Sequence, residues 1–163
     1  MEALTSRNIH RGSIYDAASF FYSRVGYNPK FMSHLKLHHL CYYAQAWHLV
    51  YFDIPLIHDY FEAWNEGAIC QRLWRSIYKR GFKFIEEYGN THTSPYTEEQ
   101  VKLLLKVEKA YGRYDGNFLR NLVCKEDPWI IAEKGYYEEN EWLYIISLES
   151  MKEYYSKHPM PNV

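Results

Sequence analysis

Residues 33–53, SHLKLHHLCYYAQAWHLVYFD, constrain this chain more than any other stretch. Leu37, Leu40, Cys41, Ala44, Trp47, His48 and Tyr51 recur at i, i+3, i+4, i+7, i+10, i+11 and i+14. That is a 3.6-residue period with no glycine or proline inside it, so the stretch reads as one long helix. Such a helix spans about 30 Å, the width of a small domain, and Pro55 follows where it should stop. The periodic residues are expected to face the core. His34, Lys36, His38, His39, Tyr42, Tyr43 and Gln45 take the remaining faces.

The other segments fit around this helix. Ser13 and Asp16 have the spacing of a capping box, opening a helix to about Val25. Residues 62–64 read as a short strand or a structured loop. Residues 69–80 read as a helix burying Ile69, Cys70, Leu73, Trp74, Ile77 and Tyr78, with Gly81 as its terminator. Residues 83–95 read as a connection. Thr97 and Gln100 form a second capping box, for a helix to about Tyr111, with Glu98 one turn from Lys102. A shorter helix follows Asp115-Gly116, and Asp127-Pro128 predicts another with Asp127 as its N-cap. Residues 141–146 are expected to be extended and 147–156 helical. The expectation is one mainly α domain over residues 13–157, compact around the long helix and with room for a short strand pair. Residues 1–12 are expected to be a flexible N-terminus and 158–163 a tail.

Charge and composition exclude several function classes. The net charge is −1, too small for a global field toward nucleic acid or an anionic membrane. No apolar run is long enough to span a bilayer, and the first residues lack a signal-peptide apolar region. Three cysteines without metal-type spacing fit a reduced, cytoplasmic protein. His34 and His38 lie one turn apart, but an H-E-x-x-H motif is missing and a third ligand, such as His58, would have to come from elsewhere. A hydrogen-bonded or solvated histidine face is the preferred reading, with no metal and no cofactor. No nucleophile–base set can be named, and no phosphate-binding glycine loop is present, so the chain is not read as an enzyme. Two basic stripes, Arg72, Arg75, Lys79, Arg80 and Lys102, Lys106, Lys109, Arg113, keep a nucleic-acid-binding regulator as the alternative. Aromatic residues reach 18%, including 17 tyrosines, which suits a ring-built core or a recognition surface.

Three blocks of residues carry a family resemblance. Lys36-Leu37, Leu40, Tyr42-Tyr43-Ala44-Gln45 and Trp47-His48-Leu49 form the first. Glu62-Ala63-Trp64, Gly67, Tyr78 and Gly81 form the second. Tyr111-Gly112, Leu119, Leu122 and Pro128-Trp129 form the third. In this order the blocks resemble the Panacea domain of SocA-like antitoxins, common in bacteria and prophages. The resemblance implies a non-catalytic antitoxin whose partner is a cognate protein toxin, neutralised by direct binding. In one branch it implies an adaptor that delivers the toxin to a Clp-type protease. Lys36, Tyr42, Tyr43, Gln45, Glu62 and Trp64 from these blocks, with Arg72 from the basic stripe, are the candidate partner-binding residues. The chain departs from the pattern at Ala68, where the family has proline, and at His38 and His39, where it has glutamine and lysine. It departs again at Val123-Cys124, where it has threonine and histidine.

Overall fold

The computed structural model describes residues 12–161. Of the expected flexible N-terminus and tail, residues 1–11 and 162–163 lie outside the described residues. Residue 12 is pinned: the Gly12 N–H donates to the Leu56 carbonyl at 2.7 Å, and the Gly12 carbonyl accepts from His58 at 3.1 Å.

Capping chemistry sets the helix starts. Helix α1 (Ile14–Arg24) begins where the Ser13 N–H donates to Asp16 Oδ2 at 2.9 Å. The long helix α2 (His34–Phe52) begins at Ser33, whose Oγ accepts from the Lys36 N–H, and ends at left-handed Asp53. Strands β1 (Glu62–Trp64) and β2 (Gly67–Ile69) make a tight antiparallel hairpin. Helix α3 (Gln71–Arg80) therefore starts later than expected, with Ile69 in the strand and Cys70 at the N-cap. Helix α4 (Phe82–Thr91) occupies much of the segment read as a connection. Gly81 serves both helices, closing α3 and capping α4 at φ 67°. Helix α5 (Glu98–Tyr111) keeps its predicted capping box, although Lys102 pairs with Glu99 rather than Glu98.

Helix α6 (Gly116–Val123) is capped by Asp115, whose side chain accepts from the Phe118 N–H. In α7 (Asp127–Glu133) the N-cap is Glu126, not Asp127. Strands β3 (Tyr136–Glu138) and β4 (Glu141–Leu143) form a second hairpin, of which only the β4 half was anticipated. Helix α8 (Leu148–Lys157) ends the fold, capped by Ser147. The segment after β4 also pairs with β1, through Ala63 N–H to Tyr144 O at 2.9 Å and Ile146 N–H to Phe61 O at 2.8 Å.

Helix α2 lies at the centre of a mainly helical fold, as expected, but its burial is not a stripe. Every residue from Leu37 to Leu49 is buried, because α1, α5, α6, α8 and β2 pack around it. Tyr51, expected inside, is 52% exposed. A helix wrapped on all sides must satisfy its polar side chains internally, and α2 does so for the most part by holding other segments, although His38 Nε2 is buried without a partner among the described residues. Gln45 Oε1 accepts from the N–H groups of Leu56 and Ile57 at 2.8 and 2.9 Å, while its Nε2 donates to the Ile57 carbonyl at 2.9 Å. His48 Nδ1–H donates to the Ile54 carbonyl at 2.7 Å, and its Nε2 meets Gln100 Nε2 at 3.2 Å. His39 Nδ1–H donates to Leu35 O, leaving Nε2 to accept from the Ala68 N–H at 3.2 Å. His38 Nδ1 accepts from the Cys70 N–H at 3.2 Å. These partners fix the tautomers and hold the histidines neutral.

A pH dependence follows. Burial pulls His39 down to about 4, against the opposing pull of the Leu35 carbonyl. Burial also lowers His38, where the neighbouring His39 and His34 add to it, and His48. Between the folded value and the ordinary histidine value near 6.5 the unfolded chain binds more protons, so stability is lost as pH falls through that window. For His39 alone the loss is about 3 kcal/mol at about 1.4 kcal/mol per pH unit. Urea unfolding should give a steeper decline from pH 6.5 to 4 in the parent chain than in His39→Gln, which keeps an acceptor but does not titrate.

Candidate partner-binding surface

Three of the residues expected to meet a partner are interior. Tyr42 and Tyr43 are fully buried and Gln45 is 1% exposed, which removes them from any direct contact surface of the folded chain. The two tyrosines belong to a ring cluster around Glu126. Tyr43 Oη donates to Glu126 Oε1 at 2.7 Å and Tyr155 Oη donates to the same oxygen at 2.8 Å. Tyr43 stacks on Tyr111 at 3.9 Å, and the Trp47 indole N–H donates to Tyr111 Oη at 2.9 Å. Burial raises the Glu126 carboxyl above its ordinary range, and the two tyrosine donors counter part of that rise. The cluster ties α2, α5, α7 and α8 together, so the tyrosine excess is in large part core.

Lys36 is also committed internally. Its Nζ donates to the Gly112 carbonyl at 2.5 Å, placing a cation at the C-terminal end of α5, where the helix dipole favours it. Burial lowers its pKa, opposed by Asp115 and Glu108.

The remaining candidates, Glu62, Trp64 and Arg72, lie on or next to the β1–β2–α3 unit. Trp129 fixes this hairpin from α7, its indole N–H shared between the carbonyls of Trp64 and Gly67 at 3.1 Å each. Arg120 Nε donates to the Asn65 carbonyl at 2.7 Å at the turn. The half-buried Trp64 ring meets Trp74 edge to face at 5.4 Å, and Trp74 meets His34 at 4.9 Å. His34, Trp74, Ile77 and Tyr78 line a cleft of about 140 Å³. Tyr78, expected to be buried, stands 84% exposed at its edge. Helix α3 carries Arg72, Arg75, Lys79 and Arg80 and no acidic residue, so the cleft sits on a cationic helix. Arg72 is anchored, 3.3 Å from Asp59 and over the Tyr15 ring at 4.7 Å. Arg80 lies over Phe84 at 5.0 Å. Arg75 and Lys79 are exposed.

The geometry thus joins Trp64 to a surface that also includes His34, Trp74, Ile77 and Tyr78, whereas Arg72 lies on another face of α3, with Arg75, Lys79 and Arg80 around a pocket that Tyr15 and Phe84 also line. The sequence signal for Trp74, Ile77 and Tyr78 was present in the 3.6-residue period of α3. It pointed to the core because a period alone does not say how much of a face is covered. Among the described residues, no three His, Cys, Asp or Glu side chains converge as a metal site, and no helix is long and apolar enough to cross a membrane.

Comparison with known families gives a match. The model described as Antitoxin SocA-like, Panacea domain, matches residues 37–130, from the start of the buried run of α2 through the first turn of α7. No curated protein and no solved structure matches.

Proposed function

Because the chain belongs to the SocA-like, Panacea-domain antitoxin family, we propose that it neutralises a cognate protein toxin by direct contact through the Trp74–Tyr78 cleft. The observation that carries this reading is the cleft itself: two large rings and an isoleucine left open on a helix whose only charges are positive, with His34 of α2 beside them. Trp, Tyr and Arg are the residues that most often dominate binding energy at interfaces. The complementary partner element is an apolar side chain flanked by carboxylates. Nucleic-acid binding is the weaker reading. Arg72 and Arg80 are stacked on rings of their own chain, Lys102 pairs with Glu99, and Lys106 lies over Tyr51 at 5.2 Å.

The test is co-expression with the cognate protein toxin. Tyr78→Ala and Arg75→Glu alter exposed positions and should leave the circular dichroism spectrum unchanged. Each should weaken the toxin complex about tenfold or more, a loss of roughly 1.4 kcal/mol or above, and growth rescue should fail in step. Normal binding by both folded variants sinks the assignment of the cleft. Rescue by the chain at levels far below the toxin's sinks neutralisation by contact altogether.

A further inference from the structure

The charged face of α3 lines a second concavity, of about 340 Å³ and apart from the Trp74–Tyr78 cleft. Arg72, Arg75 and Lys79 at i, i+3 and i+7, with Ser76 and Arg80 at i+4 and i+8, bring all four cations of the helix to one side. Tyr15 of α1 and Phe84 of α4 complete the lining, and their rings meet edge to face at 5.1 Å. The Arg72 guanidinium lies over the first ring at 4.7 Å and that of Arg80 over the second at 5.0 Å. Tyr15 Oη and Ser76 Oγ, 2.5 Å apart, tie the α1 side to α3. Two guanidinium groups are thus held against adjoining rings, which reduces the freedom they would lose on meeting a ligand. The stacking that takes them off an open backbone track places them in a pocket.

The positive charge of this pocket is largely unmet. No carboxylate lines it among the described residues. Asp59 holds Arg72 at 3.3 Å, whereas Arg75, Lys79 and Arg80 form no ion pair among the described residues. Like charges one turn apart, as Arg72 with Arg75 and Arg75 with Lys79, destabilise a helix. Arg72 also falls in the first turn of α3, which carries no acidic residue, at the dipole end that disfavours a cation. The free pocket therefore holds an electrostatic cost that an anion would relieve. Length and charge select the anion. From Arg72 to Arg80 the helix rises about 12 Å. A carboxylate brings one charge to one point, while each phosphoryl group brings up to about two, with oxygens that match the guanidinium fork. The volume falls within the range of small-molecule sites, about 300–1,000 Å³, and a net charge of −1 gives no field toward a nucleic-acid backbone.

We propose that the pocket between α1, α3 and α4 binds a small molecule bearing two or more linked phosphoryl groups, with Arg72, Arg75, Lys79 and Arg80 as its counter-charges. A nucleoside diphosphate and an inorganic polyphosphate present this same chemistry. The site goes beyond the toxin-binding reading and does not depend on it.

The probe is inorganic tripolyphosphate, titrated into the full chain and followed by amide chemical shifts. Residues 71–84 should shift, the affinity should fall with added salt, and monophosphate should bind about tenfold more weakly or worse. The variant K79Q/R80Q, altered at two exposed positions, should keep the circular dichroism spectrum and lose about tenfold or more in affinity. K106Q/K109Q, which removes the same charge from α5, should bind as the parent chain does. Adenosine diphosphate and pyrophosphate form the second arm: tighter binding of the first names a nucleotide as the ligand, and equal or tighter binding of the second names the phosphoryl chain alone. Monophosphate binding as tightly as tripolyphosphate, shifts confined to other surfaces, or an equal loss in K106Q/K109Q overturns the proposal. So does oligothymidine whose affinity keeps growing with length, because the occupant is then a nucleic acid. A glutamate-rich peptide that binds more tightly than tripolyphosphate overturns it as well, in favour of an acidic segment of a partner protein. Failure of the parent chain to capture the toxin, with tripolyphosphate binding intact, refutes the toxin-binding reading and leaves this inference standing.

Discussion

Gly67→Ala should lower the unfolding free energy by about 3–5 kcal/mol, a large loss for one methyl group. Two independent causes add. Gly67 has φ +110°, a conformation that L side chains rarely adopt, at a cost of about 1–3 kcal/mol. A Cβ at this position would also overlap the His39 ring at Nε2, and His39 is fixed at both ring nitrogens and fully buried. Overpacking of that kind costs about 1–3 kcal/mol more. Chemical denaturation of Gly67→Ala, His39→Ala and the double variant, taken as a cycle, separates the causes. In the His39→Ala background the added loss from Gly67→Ala should shrink to the backbone cost. A single-variant loss below about 1 kcal/mol would show that the hairpin can move away from α2 freely, against the strain expected of both causes.

Gln45→Leu should be comparably damaging, although it replaces a polar core residue with an apolar one of similar size. Its side chain is the partner of two backbone N–H groups and one carbonyl in residues 56–57. Each buried group left without a partner costs about 1–3 kcal/mol, partly offset by the gain in apolar burial, so a net loss of about 3–5 kcal/mol is expected. Amide exchange gives a local readout: the Leu56 and Ile57 N–H groups should exchange much faster in the variant than in the parent chain. Gln45→Glu retains an acceptor for both amides and, once protonated, a donor for the Ile57 carbonyl. Its loss should therefore shrink as pH falls through the carboxyl range. Unchanged exchange at both amides in Gln45→Leu would mean that the 53–61 segment is held by something other than this side chain.

What the sequence made legible was mostly local. Ser13 with Asp16 and Thr97 with Gln100 announce helix starts because their hydrogen bonds reach only three residues along the chain, and Ser33, Asp115 and Ser147 cap theirs with bonds of the same reach. The family blocks were legible too, and the match over residues 37–130 agrees with them. The interior faces of α2 are hidden from a periodicity argument because a 3.6-residue period marks one buried side and does not report a helix buried on all of them. A better signal lay in composition: residues 37–52 contain no Asp, Glu, Lys or Arg, the mark of a helix buried all round. With that in view, Tyr42, Tyr43 and Gln45 read as interior. Helix α4 was missed because Gly81 looked like a terminator, and one residue's backbone geometry let it end one helix and begin the next. Glu126 carried no local signal of its role, since its partners Tyr43 and Tyr155 lie 83 and 29 residues away in sequence.

The contact between His39 and the Ala68 amide also makes two distant positions answer to each other. In the antiparallel register Ala63 faces Ala68 between the pairs Glu62–Ile69 and Trp64–Gly67, and the Ala68 N–H points away from β1 to the histidine. A proline at 68 would remove no bond of the β1–β2 ladder, yet it would strip the buried His39 Nε2 of its donor. Removing the histidine instead leaves the Ala68 N–H dry. Each orphaned group costs about 1–3 kcal/mol, so neither position can change alone without a penalty that changing both together avoids.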